Sequence, residues 1–402
     1  MTKHFFHILP FAALLVLSCQ KAPAPEPADA TDVTEVQEAV EVETDVDVQD
    51  APQVDLSSLP ASAVTVYTQG TAKFTTADIL PLSSDSSGYT QKWEFYVYTE
   101  PYQARIKFEI SNFAFSRNEG KINGYVKRVE NGEDVEEWPI STSFKNGVWK
   151  ADKKSLSLEF GDYKLSLKDG MFHLEGVYEH GSFSYDIPAN PWKPGSGNVY
   201  FGNSSDKVFK YSILTYHQPV QNGVFVVDGQ TVPVSGQAYA NHYATTVAVY
   251  DMFDEVSDFR MRSDELLVEF RYYVPSAKYE AKPFGFMFVG YEGLPMIGSY
   301  DMTRTPVERW LDDQNYGYEI ESRQTIEVRD GDNKAVFEML SADPHPKDPY
   351  ANLPAYQRNV ASRFAKPIEY SIGIDWLLHL DIDGYQAKIP YSNTYTITRL
   401  RQ

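Results

Sequence analysis

An all-β fold is predicted, and three observations carry the prediction. Aromatic residues make up 14% of the 402-residue chain, with 28 Tyr and 23 Phe; several runs alternate apolar and polar residues; and short turn dipeptides join such runs into hairpins. Aromatic-rich, alternating segments suit a pleated sheet with one buried face. No long stretch of helical periodicity competes with them, and many short strands at regular spacing imply barrels or sandwiches.

The chain opens with Lys3, an apolar stretch from Phe5 to Leu17 interrupted by Pro10, and the run Val16-Leu17-Ser18-Cys19. This pattern predicts a secretory signal over 1–18. The apolar stretch is shorter than the roughly 20 residues of a membrane-spanning helix, and no later run supplies that length. The last four residues resemble a lipobox, with valine at the position where leucine is commoner. Cys19 is the only cysteine, so no intrachain disulfide is possible, and its expected role is acylation as the new N-terminus. The alternative is an ordinary signal peptide with a stray cysteine. Two acyl chains suffice for stable anchoring at about 0.8 kcal/mol per buried methylene. Gln20 rather than aspartate follows Cys19, which in enteric bacteria favours the outer membrane. The expected location is therefore the cell envelope, lipid-anchored to the outer or inner membrane, periplasmic or surface-exposed.

A tether is expected over 19–58. Between Gln20 and Leu56 eleven carboxylates face a single cation, Lys21, and this segment carries about half of the chain's net charge of −20. The Glu41 to Asp50 stretch alternates Val with acids, but so many like charges without aromatics favour a solvated, disordered spacer. Its root-mean-square span would be roughly 35 Å. The charge also excludes nucleic acid as a partner, because no basic stripe exists to displace counterions from phosphates.

In the body, Arg105 to Phe115 alternates most clearly, with Ile106, Phe108 and Ile110 on one face and Arg105, Lys107 and Glu109 on the other. Leu156–Phe160 and Tyr163–Leu167 form a hairpin across Gly161-Asp162, Asp169-Gly170 supplies a further turn, and Val224–Val227 pairs with Thr231–Val234 across Asp228-Gly229. Further strands are expected at 93–98, 171–178, 208–214, 266–274, 284–289, 318–328, 335–340, 368–374 and 394–400. The Pro-rich segment 343–354 is expected to be a loop and 355–364 a short helix. Two comparable β units are expected, 59–228 and 229–402, dividing near the Asp228-Gly229 hairpin.

At that midpoint stands Gly223-Val-Phe-Val-Val-Asp-Gly229-Gln-Thr-Val-Pro-Val-Ser-Gly236-Gln-Ala-Tyr239-Ala-Asn-His242-Tyr243. This run, with Asn198-Val-Tyr-Phe-Gly202 before it, resembles the junction of the survival-factor, AttH-like and carotenoid hydratase (hydroxyneurosporene synthase) superfamily. The resemblance implies two tandem lipocalin-like (calycin) β-barrels that bind apolar, lipid-like molecules. It also marks a departure. The carotenoid hydratases carry Asp and Trp around the motif histidine, whereas Ala240 and Asn241 precede His242 here and Tyr243 follows it. Protonating an alkene needs a strong, positioned acid, and the expected carboxylate is missing.

The candidate ligand-binding residues are Tyr239, Asn241 and His242. His242 either donates a hydrogen bond to a ligand headgroup in an apolar mouth or satisfies the barrel junction. In an unbroken strand Tyr239 and Asn241 share one face and His242 points to the other, so the three line one cavity only if a bulge intervenes. His217 lies just before the same hairpin. The other histidines have no metal-ligand spacing, and no catalytic residue, metal or cofactor is expected; no nucleophile elbow, P-loop or dinucleotide fingerprint occurs. Trp310, in Glu308-Arg309-Trp310-Leu311-Asp312-Asp313, is either a ligand-facing lid or an aromatic anchoring a turn. The expectation is membrane-anchored binding or transport of a lipid or other apolar small molecule. An isoprenoid hydratase or cyclase, marked by a buried carboxylate beside His242, is one alternative. A surface glycan-binding adhesin, marked by a flat exposed aromatic row, is the other.

Overall fold

The computed structural model describes residues 56–66 and 78–400, apart from 83, 100, 113–116, 132, 146–147, 153, 191–197, 205, 264, 293, 314–315, 352–354, 356–357, 360–361 and 363–366. The expected signal segment, Cys19 and all but the last three residues of the expected tether lie outside the described residues.

Strands Val64–Val66 (β1), Thr90–Tyr98 (β2), Tyr102–Ser111 (β3), Glu119–Glu130 (β4) and Glu133–Phe144 (β5) open the fold. A meander follows: Lys150–Ala151 (β6), Ser157–Phe160 (β7), Tyr163–Lys168 (β8), Met171–Tyr178 (β9) and Gly181–Pro188 (β10). Asn198–Phe201 (β11) and Val208–Pro219 (β12) return to the first group; Gln221–Val227 (β13) and Gln230–Val234 (β14) extend the second; Gln237–Thr245 (β15) rejoins the first. The first sheet has the order β1-β11-β12-β15-β2-β3-β4-β5 and the second β14-β13-β10-β9-β8-β7-β6. One helical turn, Val249–Met252 (α1), leads into the third sheet. Its strands are Phe253–Arg262 (β16), Leu266–Pro275 (β17), Phe284–Tyr291 (β18), Leu294–Ser299 (β19), Met302–Leu311 (β20), Glu319–Asp330 (β21), Asn333–Met339 (β22), Asp343–Lys347 (β23), Ile368–Ile382 (β24) and Tyr385–Arg399 (β25). The spatial order is β19-β18-β17-β16-β25-β24-β22-β21-β20, with β23 on β24. The protein is all-β, with sheets curled as lipocalin-like barrels are.

Alternating side chains sort these strands onto three cores. Trp93, Phe95, Val97, Ile106 and Phe108 of the first sheet meet Leu158, Phe160, Phe172, Phe183 and Phe225 of the second in one apolar interior, the first barrel. The third sheet curls until β19 approaches β21, and Phe259, Phe270, Phe337, Trp376 and Tyr395 fill the second barrel. The third core lies between the barrels: Phe209, Tyr211, Ile213 and Tyr239 on the outer face of β12 and β15 pack against Phe253, Leu267, Tyr273, Phe286 and Phe288. After the Asp228-Gly229 turn β14 pairs with β13 in the second sheet and β15 pairs with β12 and β2 in the first, so residues 230–234 and 237–245 belong to the sheets of the first barrel.

The hairpins stand where the turn chemistry places them. Asp169 and Gly170 take φ of 51° and 72°, and Asp228 and Gly229 take 49° and 78°, the double left-handed geometry that a two-residue hairpin needs. The Pro-rich segment differs from expectation, since Asp343–Lys347 is a strand. It runs on β24 with Pro344 opposite Ile372 and Pro346 opposite Tyr370. Proline is tolerated in a strand with an unpaired edge because the missing N–H then costs no ladder bond. Trp310, read within 308–313 as a lid or the anchor of a turn, lies in strand β20, where it pairs with Ile320 and packs edge-on to Tyr370. The short helix expected over 355–364 falls for the most part outside the described residues.

Candidate functional site

His242 sits in the middle of β15 opposite Trp93 of β2, and Ala238 and Ala240 on the same face belong to the first-barrel core. Tyr239, on the opposite face, belongs to the inter-barrel core, and Asn241 shares that side. Register shifts do occur here, but they lie in the partner strand β12, between Ile213 and Thr215 and between Tyr216 and Gln218. The alternation of β15 is therefore intact, and the structure separates Tyr239 and Asn241 from His242. His217 occupies the second bulge of β12 with φ of 48°.

His242 is fully buried, and its hydrogen bonding follows from Gln91. The Leu82 N–H donates to Gln91 Oε1 at 2.8 Å, and Gln91 Nε2 donates to Leu80 O at 2.9 Å. These contacts fix the amide orientation, so Gln91 Nε2, 2.9 Å from His242 Nε2, must donate to the ring. His242 Nε2 accepts, and the imidazole proton resides on Nδ1. Burial, reinforced by the positive charge of Lys210, lowers the His242 pKa to about 3 and keeps the ring neutral. Nδ1–H is thus a buried donor with no acceptor among the described residues. Leaving such a donor unsatisfied costs about 1–3 kcal/mol.

The segment around Ile79 to Ser86 covers this end of the first barrel, held by side chains that capture its backbone. Trp93 Nε1 donates to Ile79 O at 2.9 Å, and Asn112 Nδ2 donates to Ser84 O and Ser86 O at 2.7 and 2.8 Å. Tyr89 Oη lies 2.8 Å from Leu82 O and 3.0 Å from Gln91 Oε1, sharing one proton between two acceptors. Beside this cover opens a cleft of about 490 Å³ lined by Leu82, Tyr200 and Val208 together with Ser86, Lys210 and Thr246. Ser84 and Asp206 complete its lining, and Leu82, whose N–H is bound by Gln91, connects it to the layer that holds His242. A second open cleft, about 530 Å³ beside Val336, His379 and Lys388, adjoins none of the candidate residues.

Tyr239 and Asn241 serve other partners. Glu269 of β17, fully buried in the inter-barrel core, accepts hydrogen bonds from Tyr239 Oη at 2.6 Å and from Tyr211 Oη. Arg260 and Arg271 each approach it at 3.3 Å, and their guanidinium groups lie over the rings of Tyr239 and Tyr211. Burial alone would raise the Glu269 pKa; the two guanidiniums and the two hydroxyls outweigh it and hold the carboxyl at about 2. Asn241 Nδ2 points to Glu94, which is paired with Arg105. This network bridges β12 and β15 of the first barrel to β16 and β17 of the third sheet.

A histidine with a pKa of about 3 is not an acid at neutral pH, and among the described residues the charged group acting on it is Lys210, not a carboxylate. The exposed tyrosines of β25, Tyr385 and Tyr391, stand six residues apart, about 20 Å along a strand, and do not form a continuous stacking platform. No group of three or more metal-ligating side chains occurs among the described residues, and no helix there is long and apolar enough to cross a membrane.

No family model and no curated protein matches the sequence. Solved structures with a similar course of chain include a provisionally assigned AttH from Nitrosomonas europaea, 12% identical over 84% of this chain and 99% of that one, with a TM-score of 0.47. Kievitone hydratase from Nectria haematococca is 11% identical over 85% of this chain and 97% of its own, with a TM-score of 0.44. CghA with Sch210972 is 8% identical over 84% and 99%, with a TM-score of 0.40. At this level of likeness none of their activities carries over to this chain.

Proposed function

We propose that the protein binds a lipid-like or other apolar small molecule at the mouth of the first barrel, and presents it from a membrane through acyl chains on Cys19. The observation that carries this reading is the buried Nδ1–H of His242. A donor held in an apolar barrel end, on a ring kept neutral by burial, suits a single acceptor oxygen on an otherwise apolar ligand. The nearby cleft, lined by Leu82, Tyr200 and Val208 among polar side chains, would take the remainder. A hydratase reading would need an acid that donates at neutral pH, and His242 is held below that range.

Replacing His242 by Ala should weaken binding of the ligand that accompanies the purified protein by the value of one buried hydrogen bond, about 0.5–1.5 kcal/mol or up to about tenfold, because apolar burial carries the rest of the affinity. Titration of parent and variant with that ligand measures it. An unchanged affinity with a lowered melting temperature would assign His242 to the fold alone. The membrane part has its own test, since only the thiol is acylated: an alkyne fatty acid should label the parent and not Cys19→Ser, and the variant should leave the membrane fraction. Label retained on the serine variant would remove the anchor from the account.

A further inference from the structure

The second barrel contains a charged cluster that the first-barrel reading does not use. Arg304 of β20 crosses the lumen; its Nη1 lies 3.3 Å from Glu255 Oε1, and its guanidinium covers the Tyr272 ring at 4.4 Å. Arg399 Nε reaches the other oxygen of Glu255 at 3.0 Å. Gln324 Nε2 donates to Tyr395 Oη at 2.7 Å. Arg304 and Glu255 are only 4% and 5% exposed at the side chain, and Gln324 and Tyr395 are fully buried. Burying the Arg304–Glu255 pair in a barrel is a costly way to fill space, because apolar residues of similar volume often stabilise as well.

Two features of the cluster point to a ligand. Arg304 Nη2 is held at 2.8 Å by Glu321, whose side chain is 29% exposed and can swing into water. Arg304 Nε, on the same side of the guanidinium, is a buried donor without a partner. Nε and Nη2 together form the side-on fork that grips a carboxylate with two parallel hydrogen bonds. Release of one surface-reachable carboxylate therefore frees a complete bidentate receptor while Glu255 continues to neutralise Nη1. Gln324 is the diagonal cross-strand neighbour of Arg304 on the inward face, since Arg304 pairs with Ile326 and Pro306 with Gln324.

The apolar interior beneath is rich in methionine. Five of the chain's eight methionines, Met261, Met287, Met296, Met302 and Met339, lie in or against this core. Unbranched thioether side chains repack around irregular guests at small cost.

We propose that the second barrel is a receptor for a single-chain carboxylate amphiphile, with the side-on fork of Arg304 gripping the head, Glu321 as the internal carboxylate it displaces, and the methionine-lined core receiving the chain. This site is separate from the one beside His242 and does not depend on it.

Isothermal titration of the full chain with dodecanoate, with acetate as the head-only control, tests the proposal. Saturable dodecanoate binding is expected, with acetate at least tenfold weaker. Glu321→Gln should tighten dodecanoate about five- to tenfold, because the competing carboxylate is gone. Arg304→Lys should weaken it about tenfold or more, because an ammonium cannot supply the fork. His242→Ala should leave it unchanged. A purely structural Arg304–Glu321 pair would give no gain in Glu321→Gln, and that result overturns the proposal even if Arg304→Lys fails to fold. Absence of dodecanoate binding to both the parent and Glu321→Gln overturns it as well. Binding abolished by His242→Ala and untouched by Arg304→Lys would assign the amphiphile to the first barrel and overturn this site alone.

Discussion

Glu269→Leu is expected to destabilise the protein by about 3–5 kcal/mol, the usual cost of removing one partner from a buried ion cluster. The carboxylate is fully buried between Arg260, Arg271, Tyr211 and Tyr239, so its loss leaves Arg260 without its carboxylate inside the inter-barrel core. Arg271 retains Asp258 at 2.8 Å, which keeps the effect below that of two stranded charges. The denaturation midpoint in urea measures the loss. Replacing Arg260 and Glu269 together by apolar residues should recover most of it, because Arg271 keeps Asp258 and neither member of the Arg260–Glu269 pair is left alone. If Glu269→Leu costs less than 1 kcal/mol, the network does not hold the barrels together.

Acidification should act through His242. The unfolded chain takes up a proton on this imidazole near pH 6.5, the folded protein only near pH 3. Between those values the unfolded state binds more protons, so the contribution of His242 to stability is complete above pH 6.5 and is lost as pH falls toward 3. From pH 7 to pH 4 the expected loss is about 3 kcal/mol, at about 1.4 kcal/mol per pH unit below 6.5. Glu269 adds a loss of its own as pH falls from 4.5 toward 2, since its folded pKa is depressed. Urea unfolding at pH 7 and pH 4 reads the sum, and His242→Gln should remove most of the slope above pH 4.5. An equal slope in parent and variant would mean that the ring is protonated in the folded state.

The strands with one wet face were legible in the sequence. β2, β3, β9 and β24 alternate cleanly, and the Asp-Gly turns that close the meander carry their own conformational signal. β4 and β5 were not legible. In β4, Gly120 and Gly124 interrupt the apolar series, yet Gly124 is needed there because a Cβ would meet Arg105 O at 1.8 Å. β5 exposes Glu133, Asp134, Glu136 and Glu137, so it reads as a polar loop although it lines the sheet edge. β23 was masked by its prolines, which an edge tolerates.

Within the site, the opposite facing of Tyr239 and His242 followed from strand period alone. Their partners did not, because Gln91 and Glu269 lie 151 and 30 residues from the residues they serve. The available signal was a polar side chain at an inward position: Gln91 ahead of Trp93, Phe95 and Val97, and Glu269 inside Leu266-Leu-Val-Glu-Phe270. Such a residue announces that a partner exists, while only the fold identifies it. Arg304 gave no such warning, since it stands between Thr303 and Thr305 in a strand that is half polar.

The central claim, that this protein holds an apolar small molecule, is tested most directly by native mass spectrometry of the chain purified without detergent from a cell envelope. The account predicts a discrete additional mass that dissociates as an apolar or amphiphilic molecule and is retained less well by His242→Ala. A spectrum showing only the bare protein, from a sample that also fails to take up added lipid, would contradict it.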